Sequence, residues 1–169
     1  MDEDLRPLRA GTAAPDFRLR QTPWLTLSLH RLAGQPIILV FFPTAFEPVS
    51  REQLTLYEAY LPQFETLHVQ IVGISADHTW CHEAFSQEAG ITFPLLADTQ
   101  PRGRVSQLYG VYRESEDATG RALFVIDSSG IIRFGRVYPE LLNPGVGDLL
   151  NVLEALEASQ LRVDSRHER

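Results

Sequence analysis

The fold of this chain is decided by residues 34–43, which read Gly34-Gln35-Pro36-Ile37-Ile38-Leu39-Val40-Phe41-Phe42-Pro43. An uninterrupted apolar run, residues 37–42, stands between turn-forming residues on both sides. Such a run, rich in β-branched and aromatic side chains, is typical of a strand buried on both faces of a sheet. We therefore expect residues 37–42 to form the central strand.

The residues after this strand have a helical pattern. Apolar side chains recur three or four residues apart, at Leu54, Tyr57, Leu61 and Phe64. This spacing predicts a helix from Ser50 to about Phe64 that packs through one face, with residues 43–49 as the strand-to-helix loop. The pattern then repeats, with a predicted strand at 69–74, a helix at 77–88 ended by Gly90, and a short strand at 93–96.

Alternation of strands and helices predicts a parallel sheet core. Residues 123–126 and 131–137 flank a turn sequence and predict an antiparallel hairpin. A closing helix is predicted by Leu149, Leu150, Leu153 and Leu156. The sequence thus predicts an α/β fold with a mixed central sheet flanked by helices, in a single domain over residues 1–169. We expect residues 1–23 to be extended and residues 1–10 and 160–169 to be flexible.

The composition excludes several classes of function. The formal net charge is -7 and the pI is about 5.2, which argues against nucleic acid as a partner, because phosphate backbones require clustered positive charge. All fifteen basic residues are Arg, so Schiff-base chemistry at a lysine and a lysine-bearing phosphate loop are excluded. No signal-peptide pattern and no membrane-spanning apolar run occurs. We therefore expect a cytoplasmic protein that does not bind membranes.

The strand-to-helix loop resembles a known family motif. Ligands of open α/β sheets bind beyond the carboxyl ends of the strands, and residues 41–50 at that place read Phe41-Phe42-Pro43-Thr44-Ala45-Phe46-Glu47-Pro48-Val49-Ser50. This string is similar to the peroxiredoxin signature, a Pro followed by a Thr and then by the peroxide-attacking Cys. Residues 14–17, 91–98 and 120–127 support the resemblance, which extends over about residues 11–158. Residues 105–111 and 129–134 most resemble the one-cysteine alkyl hydroperoxide reductase E branch.

The resemblance implies a thioredoxin-like fold and a set of site residues. In that family the Pro shields the thiolate, and the Thr and an Arg bind the peroxide oxygens, while the Arg also lowers the thiol pKa. The matching positions here are Pro43, Glu47, Ser50 and Arg121, so the Cys and the Thr are replaced. Gln53 stands where the family has a Glu that orients the Arg, and Glu52 lies beside it.

The same resemblance implies the substrates and partners of an active member. These are hydrogen peroxide and alkyl hydroperoxides, an external thiol as reductant, and a second copy of the chain in a homodimer; no cofactor and no metal is implied. Because a serine hydroxyl stays protonated where a thiol ionises, Ser50 predicts a chain that is inactive as a thiol peroxidase. The alternative function is that of a pseudoenzyme, a binding or interaction module.

Two explanations of Ser50 remain open. It is either an engineered replacement of a catalytic cysteine or a natural loss of that cysteine. Glu47 favours natural loss, since replacing a nucleophile gives no reason to alter the Thr position as well, and a carboxylate there would pair with Arg121 and repel a thiolate. A serine hydrolase is a further interpretation of Ser50, but the sequence pattern identifies no histidine that would act as its general base. A third, structural interpretation makes Ser50 a helix-capping or first-turn residue.

Cys81 is the only cysteine, so an internal disulfide is excluded. It falls in the first turn of the second predicted helix, capped by Asp77 or Thr79, where the helix dipole would lower the thiol pKa and make Cys81 a redox thiol. The competing interpretation is an inert small apolar side chain. His78, Cys81 and His82 also have the spacing of a metal site on one helix face, against the commoner interpretation of scattered polar residues at a helix start.

Overall fold

A computed structural model of the chain describes residues 4–169. Within that range the main sheet consists of the strands β1 Arg18–Arg20, β2 Thr26–Ser28, β3 Ile37–Phe41, β4 Gln70–Ser75, β5 Leu95–Ala97, β8 Ala122–Ile126 and β9 Ile132–Val137, while β6 Tyr112–Arg113 and β7 Ala118–Thr119 form a separate hairpin. The helices are α1 Pro48–Ala59, α2 Leu61–Thr66, α3 Thr79–Ala89, α4 Arg104–Leu108 and α5 Gly147–His167, with 3-10 turns at Leu29–Leu32 and Glu114–Glu116.

The seven strands of the main sheet in residues 4–169 run in the order β2-β1-β5-β4-β3-β8-β9. Strand β3 is parallel to β4 and antiparallel to β8, and β4 is parallel to β5. Every residue of β3 is buried, because α1, α2, α3 and α5 cover one face of the sheet and α4 with the first 3-10 turn covers the other. The predictions of a doubly buried central strand and of a mixed sheet flanked by helices are therefore confirmed.

The single helix predicted for residues 50–64 is wrong in two respects. It begins earlier, at Pro48, and it divides at Tyr60 into α1 and α2. Pro62 has no N–H with which to continue the hydrogen-bond ladder, and it lies in the first turn of α2, where that donor is not needed. The break does not disturb the apolar face, since Tyr57 and Phe64 remain fully buried in the same core.

The described parts of the two chain ends contain more regular secondary structure than predicted. Within residues 1–23 the segment Arg18–Arg20 forms β1, which pairs with β2 and with β5. The amide of Leu8 donates to the carbonyl of Tyr109 at 3.1 Å, while residues 1–3 lie outside the described range. At the other end, α5 continues past Gln160 to His167 with its last residues exposed. Among the described helices none is long and apolar enough to cross a bilayer.

Candidate active site

Glu47 caps the helix that follows the central strand. Its backbone is extended (φ -72°, ψ 134°), and its carboxylate accepts hydrogen bonds from the amides of Val49 and Ser50, both at 2.8 Å. Pro48 occupies the first turn, where its missing N–H costs nothing. The interpretation of Ser50 as the helix cap is therefore wrong: the carboxylate of Glu47 reaches the free amides first, and Ser50 lies inside the first turn.

The loop before Glu47 bends sharply at Phe46 and is hydrogen-bonded to Asp77. Phe46 has a φ of +66°, a conformation that costs about 1 kcal/mol in a residue other than glycine. Its half-exposed ring packs edge-on against Phe85, with centroids 5.4 Å apart. Asp77 holds the loop from the other side, because its carboxylate accepts from the hydroxyl of Thr44 at 2.9 Å and from the amide of Ala45 at 2.8 Å. Pro43, half-buried, begins this loop.

The guanidinium of Arg121, which comes from the sheet, lies beside Glu47 and Ser50. It directly precedes β8, and its side chain is fully buried. Nε donates to the carbonyl of Glu140 at 2.9 Å, and Nη1 donates to Oε1 of Gln53 at 2.7 Å and to Oγ of Ser50 at 3.2 Å. Nη2 donates to Oε2 of Glu47 at 3.0 Å. The salt bridge expected between Glu47 and Arg121 is thus present.

Ser50 lies between the two charged groups and is fully buried. Its hydroxyl donates to Oε2 of Glu47 at 2.9 Å and accepts from Arg121. No histidine in residues 4–169 bonds to it; His82, the buried one, bonds instead to Ser75 at 2.7 Å. The hydroxyl is therefore held by a carboxylate and a guanidinium, without the imidazole base that a serine nucleophile needs.

The electrostatics of the cluster favour ionised Glu47. Burial raises the pKa of its carboxyl, but hydrogen bonds from the amides of Val49 and Ser50, from the Ser50 hydroxyl and from Arg121 outweigh burial and hold the pKa below its ordinary value of 4.5. Burial in turn lowers the pKa of Arg121, and the carboxylate of Glu47 opposes that effect. The pair is a buried cation with its own tethered counter-ion.

This carboxylate makes stability depend on pH. Because its pKa is lower in the folded than in the unfolded chain, its contribution to the free energy of unfolding is complete above pH 4.5 and is lost as the pH falls through the folded value. We expect the stability difference between the native chain and Glu47→Gln, measured by urea unfolding, to be largest near neutral pH and to shrink in acid. A difference that stays constant into acid would contradict this.

Comparison with known proteins places this geometry in a family. The model of the AhpC/TSA family matches residues 10–134. The chain belongs to the AhpC/TSA family. Alkyl hydroperoxide reductase E of Mycobacterium tuberculosis is 39% identical over 139 residues, covering 82% of this chain and 88% of that protein. The selenocysteine-containing peroxiredoxin PrxU of Peptoclostridium acidaminophilum is 30% identical over 161 residues, covering 89% of this chain and 77% of that protein.

Solved structures agree on the fold. The reduced 2-Cys peroxiredoxin of Plasmodium vivax superposes with a TM-score of 0.83 at 23% identity, covering 91% of this chain and 84% of that chain. Mycobacterium tuberculosis AhpC gives 0.81 at 22% identity, with coverages of 92% and 97%. The superpositions confirm the thioredoxin-like fold, while the family match and the 39% identity confirm the resemblance to peroxiredoxins and to the alkyl hydroperoxide reductase E branch.

In this AhpC/TSA chain the guanidinium of Arg121 donates hydrogen bonds to Glu47, Ser50 and Gln53, and Ser50 also bonds to Glu47. Two further members of the cluster, Tyr57 and the backbone of Glu140, were not predicted from the sequence. Tyr57, whose hydroxyl accepts from Gln53 at 3.2 Å and donates to the carbonyl of Gly145 at 3.0 Å, had the spacing of a core residue only. Glu140 contributes only its backbone carbonyl, which accepts from Arg121. Any residue type has such a carbonyl, so nothing in the sequence marked this position.

Cys81 of the AhpC/TSA chain lies apart from this cluster, half-buried on α3. Burial raises the pKa of its thiol, and the charge of Asp77 raises it further. The expectation that the helix dipole lowers this pKa is therefore wrong, and so is the expected cap: the N-cap is His78, without a side-chain bond, because Asp77 is engaged by the loop and by Ser75.

The raised pKa makes Cys81 a poor nucleophile at neutral pH. We expect iodoacetamide to alkylate it more slowly than a free cysteine, with a rate that still rises at pH 9, the ordinary thiol value. The substitution Asp77→Asn removes the nearby negative charge and is expected to speed the reaction. Alkylation of the folded native chain as fast as that of a free cysteine would restore the redox interpretation.

The metal hypothesis for His78, Cys81 and His82 finds no support in the geometry. His82 is buried, and burial lowers its pKa to about 4, whereas His78, the N-cap residue of α3, is exposed. Within residues 4–169 no three potential ligands are placed to hold one ion. The shared spacing on α3 therefore does not produce a shared site.

Proposed function

We propose that this AhpC/TSA chain has no thiol-peroxidase activity at position 50 and acts as a binding or interaction module. The observation that carries the proposal is the placement of the Glu47 carboxylate, which bonds to Arg121, to the Ser50 hydroxyl and to two helix amides. These are the donors that a bound hydroperoxide would need. An internal anion takes up the site where the family's chemistry would occur.

The residue at position 50 supports the same conclusion. Peroxide reduction of this type requires a thiolate that attacks oxygen, and a hydroxyl is neither ionised nor polarisable enough to replace it. The carboxylate 2.9 Å from the Ser50 oxygen further disfavours its ionisation. We infer that Ser50 serves as a hydrogen-bonding link between Glu47 and Arg121.

The two replacements also compensate each other. A neutral Ser50 leaves the fully buried guanidinium of Arg121 without the negative charge that a thiolate would supply, and burial of an unpaired charge is costly. Glu47 supplies that charge at 3.0 Å. This complementarity supports natural loss of the nucleophile over an engineered replacement at position 50.

The second candidate is thiol-dependent reduction of hydrogen peroxide and alkyl hydroperoxides with an external thiol reductant. It is favoured by the 39% identity to a protein named alkyl hydroperoxide reductase E and by the retained Arg121, still oriented by Gln53. This function requires a cysteine at position 50, so it applies only if Ser50 is an engineered replacement.

Peroxide kinetics test the proposal. Consumption of hydrogen peroxide and cumene hydroperoxide is measured with dithiothreitol as reductant, for the native chain and for Cys81→Ser. We expect no turnover above the protein-free rate from Cys81→Ser, and any slow consumption by the native chain to depend on Cys81. Rapid reduction that survives the loss of Cys81 would overturn the proposal.

We further propose that the chain forms the homodimer that its family resemblance implies. Support comes from Trp24 and Trp80, which are 83% and 62% exposed and contact each other with ring centroids 6.2 Å apart; exposed aromatic clusters are typical of protein interfaces. We expect Trp80→Arg to convert a dimer into a monomer in sedimentation velocity. Leu161→Arg on α5, 63% exposed in the native chain, is the matched control. A native monomer, or a variant that remains dimeric, would contradict this.

A further inference from the structure

The groups around the Glu47 carboxylate form a site of their own. Oε1 accepts from the amide of Val49, and Oε2 accepts from the amide and the hydroxyl of Ser50 and from Nη2 of Arg121, all within 2.8–3.0 Å. Both side-chain donors, Ser50 and Arg121, are at least 99% buried. A buried guanidinium and two aligned amides are the ordinary means by which proteins bind a carboxylate.

Contacts other than the ion pair with Glu47 also hold the guanidinium of Arg121 in position. Arg121 is also held by Oε1 of Gln53 at 2.7 Å and by the carbonyl of Glu140 at 2.9 Å, and Gln53 is in turn fixed by Tyr57. These contacts orient the guanidinium independently of its ion pair. The donors would therefore remain in place if the carboxylate left.

Glu47 itself is the part of the site nearest to solvent. Its side chain is 23% exposed, while that of Arg121 is not exposed at all, so the carboxylate lies between the buried donors and the surface. It belongs to the loop, and the neighbouring Phe46 is half-exposed with a positive φ. Rotation of the Glu47 side chain toward water would open the donors without moving α1 or β8.

We propose that the guanidinium of Arg121, the hydroxyl of Ser50 and the amides of Val49 and Ser50 form a binding site for small monocarboxylates, which we call the Arg121 pocket. In the native chain the carboxylate of Glu47 occupies this pocket and keeps it closed. This inference rests on the proposed function, in which the chain is a binding or interaction module and position 50 does not reduce a peroxide. Acetate is the matching probe, because truncation of Glu to Ala removes a methylene and a carboxylate, which together have the heavy atoms of acetate. In the native chain an external carboxylate competes with the carboxylate of Glu47. The apparent affinity of the external carboxylate is therefore its intrinsic affinity multiplied by the fraction of molecules in which Glu47 has left the site.

The test is a titration with sodium acetate, followed by thermal unfolding and by calorimetry, against sodium chloride at equal ionic strength. We expect acetate to stabilise Glu47→Ala and to leave the native chain no more stable than chloride does. A ligand that binds only the native state multiplies the folding equilibrium constant by one plus the ratio of its concentration to Kd, so a tenfold excess over Kd raises that constant about elevenfold.

Two further variants keep the test decisive. Glu47→Thr retains a capping hydroxyl and replaces Glu47→Ala should the latter fail to fold. Glu47→Thr/Arg121→Gln lacks the guanidinium and is expected to lose the acetate effect. Equal effects of acetate on the native chain and on the Glu47 variants, or no acetate effect beyond that of chloride, would overturn the inference. Rapid peroxide reduction that survives the loss of Cys81 would overturn the proposed function instead, and that assay contains no carboxylate ligand.

Discussion

Restoring the thiol alone is expected to leave peroxide reduction slow. In Ser50→Cys the carboxylate of Glu47, which is now 2.9 Å from the hydroxyl of Ser50, would lie next to the sulfur and would continue to hold Arg121. A like charge at this distance raises the thiol pKa, and the donors that should bind the peroxide stay occupied. We expect Ser50→Cys/Glu47→Thr to exceed Ser50→Cys by about 100-fold in the second-order rate constant, the typical effect of one such donor.

The comparison is made by stopped-flow kinetics in a Cys81→Ser background, so that any signal comes from position 50. Ser50→Ala/Glu47→Thr, which has the opened pocket but no thiol, is the matched control and is expected to be inactive. If the single change to Cys is as fast as the double change, Glu47 does not close the pocket, and Ser50 is an engineered replacement or a very recent loss.

Removal of the Glu47 side chain is expected to produce a large loss of stability. Glu47→Ala leaves the buried guanidinium of Arg121 without its counter-ion and leaves two helix amides without an acceptor. Breaking a buried ion pair from one side costs about 3–5 kcal/mol. We expect the free energy of unfolding, measured by urea denaturation near neutral pH, to fall by an amount in this range.

A double-mutant cycle separates the ion pair from the helix cap. Glu47→Ala/Arg121→Met removes both charges, and we expect it to be less destabilised than the sum of the single changes by about 2 kcal/mol. Glu88→Ala, which removes an exposed partner of Arg51, is the control and should cost less than about 1 kcal/mol. Additive single effects would show that the helix cap, and not the ion pair, accounts for the loss.

The central part of the fold was predictable because its signals are local and strong. The apolar run at 37–42 is best buried between two covered faces of a sheet. Gly90 adopts a φ of +72° at the end of α3, the left-handed conformation that commonly ends a helix at a glycine. Strands β1 and β2 carried no such signal, since each has three residues and their pairing at the edge of the sheet depends on distant segments.

The site was predictable in its charges and not in its hydrogen bonds. Opposite charges at Glu47 and Arg121, together with the motif, were enough to predict the salt bridge. The capping role of Glu47 depends on the bend at Phe46, and the residue types around Phe46 do not predict that bend. The pKa of Cys81 was mispredicted because the dipole of α3 was considered without burial and without Asp77, whose position is set by its contacts with the loop.

Whether Glu47 occupies the donors around position 50 is tested most directly by the thiol pKa at that position in two variants, Ser50→Cys and Ser50→Cys/Glu47→Thr, both with Cys81→Ser. Thiolate absorbance in the ultraviolet is followed against pH. We expect a thiol pKa above its ordinary value in the single change, where Glu47 holds Arg121, and below that value in the double change, where Arg121 and the helix amides face the sulfur. Equal pKa values in the two variants would contradict it.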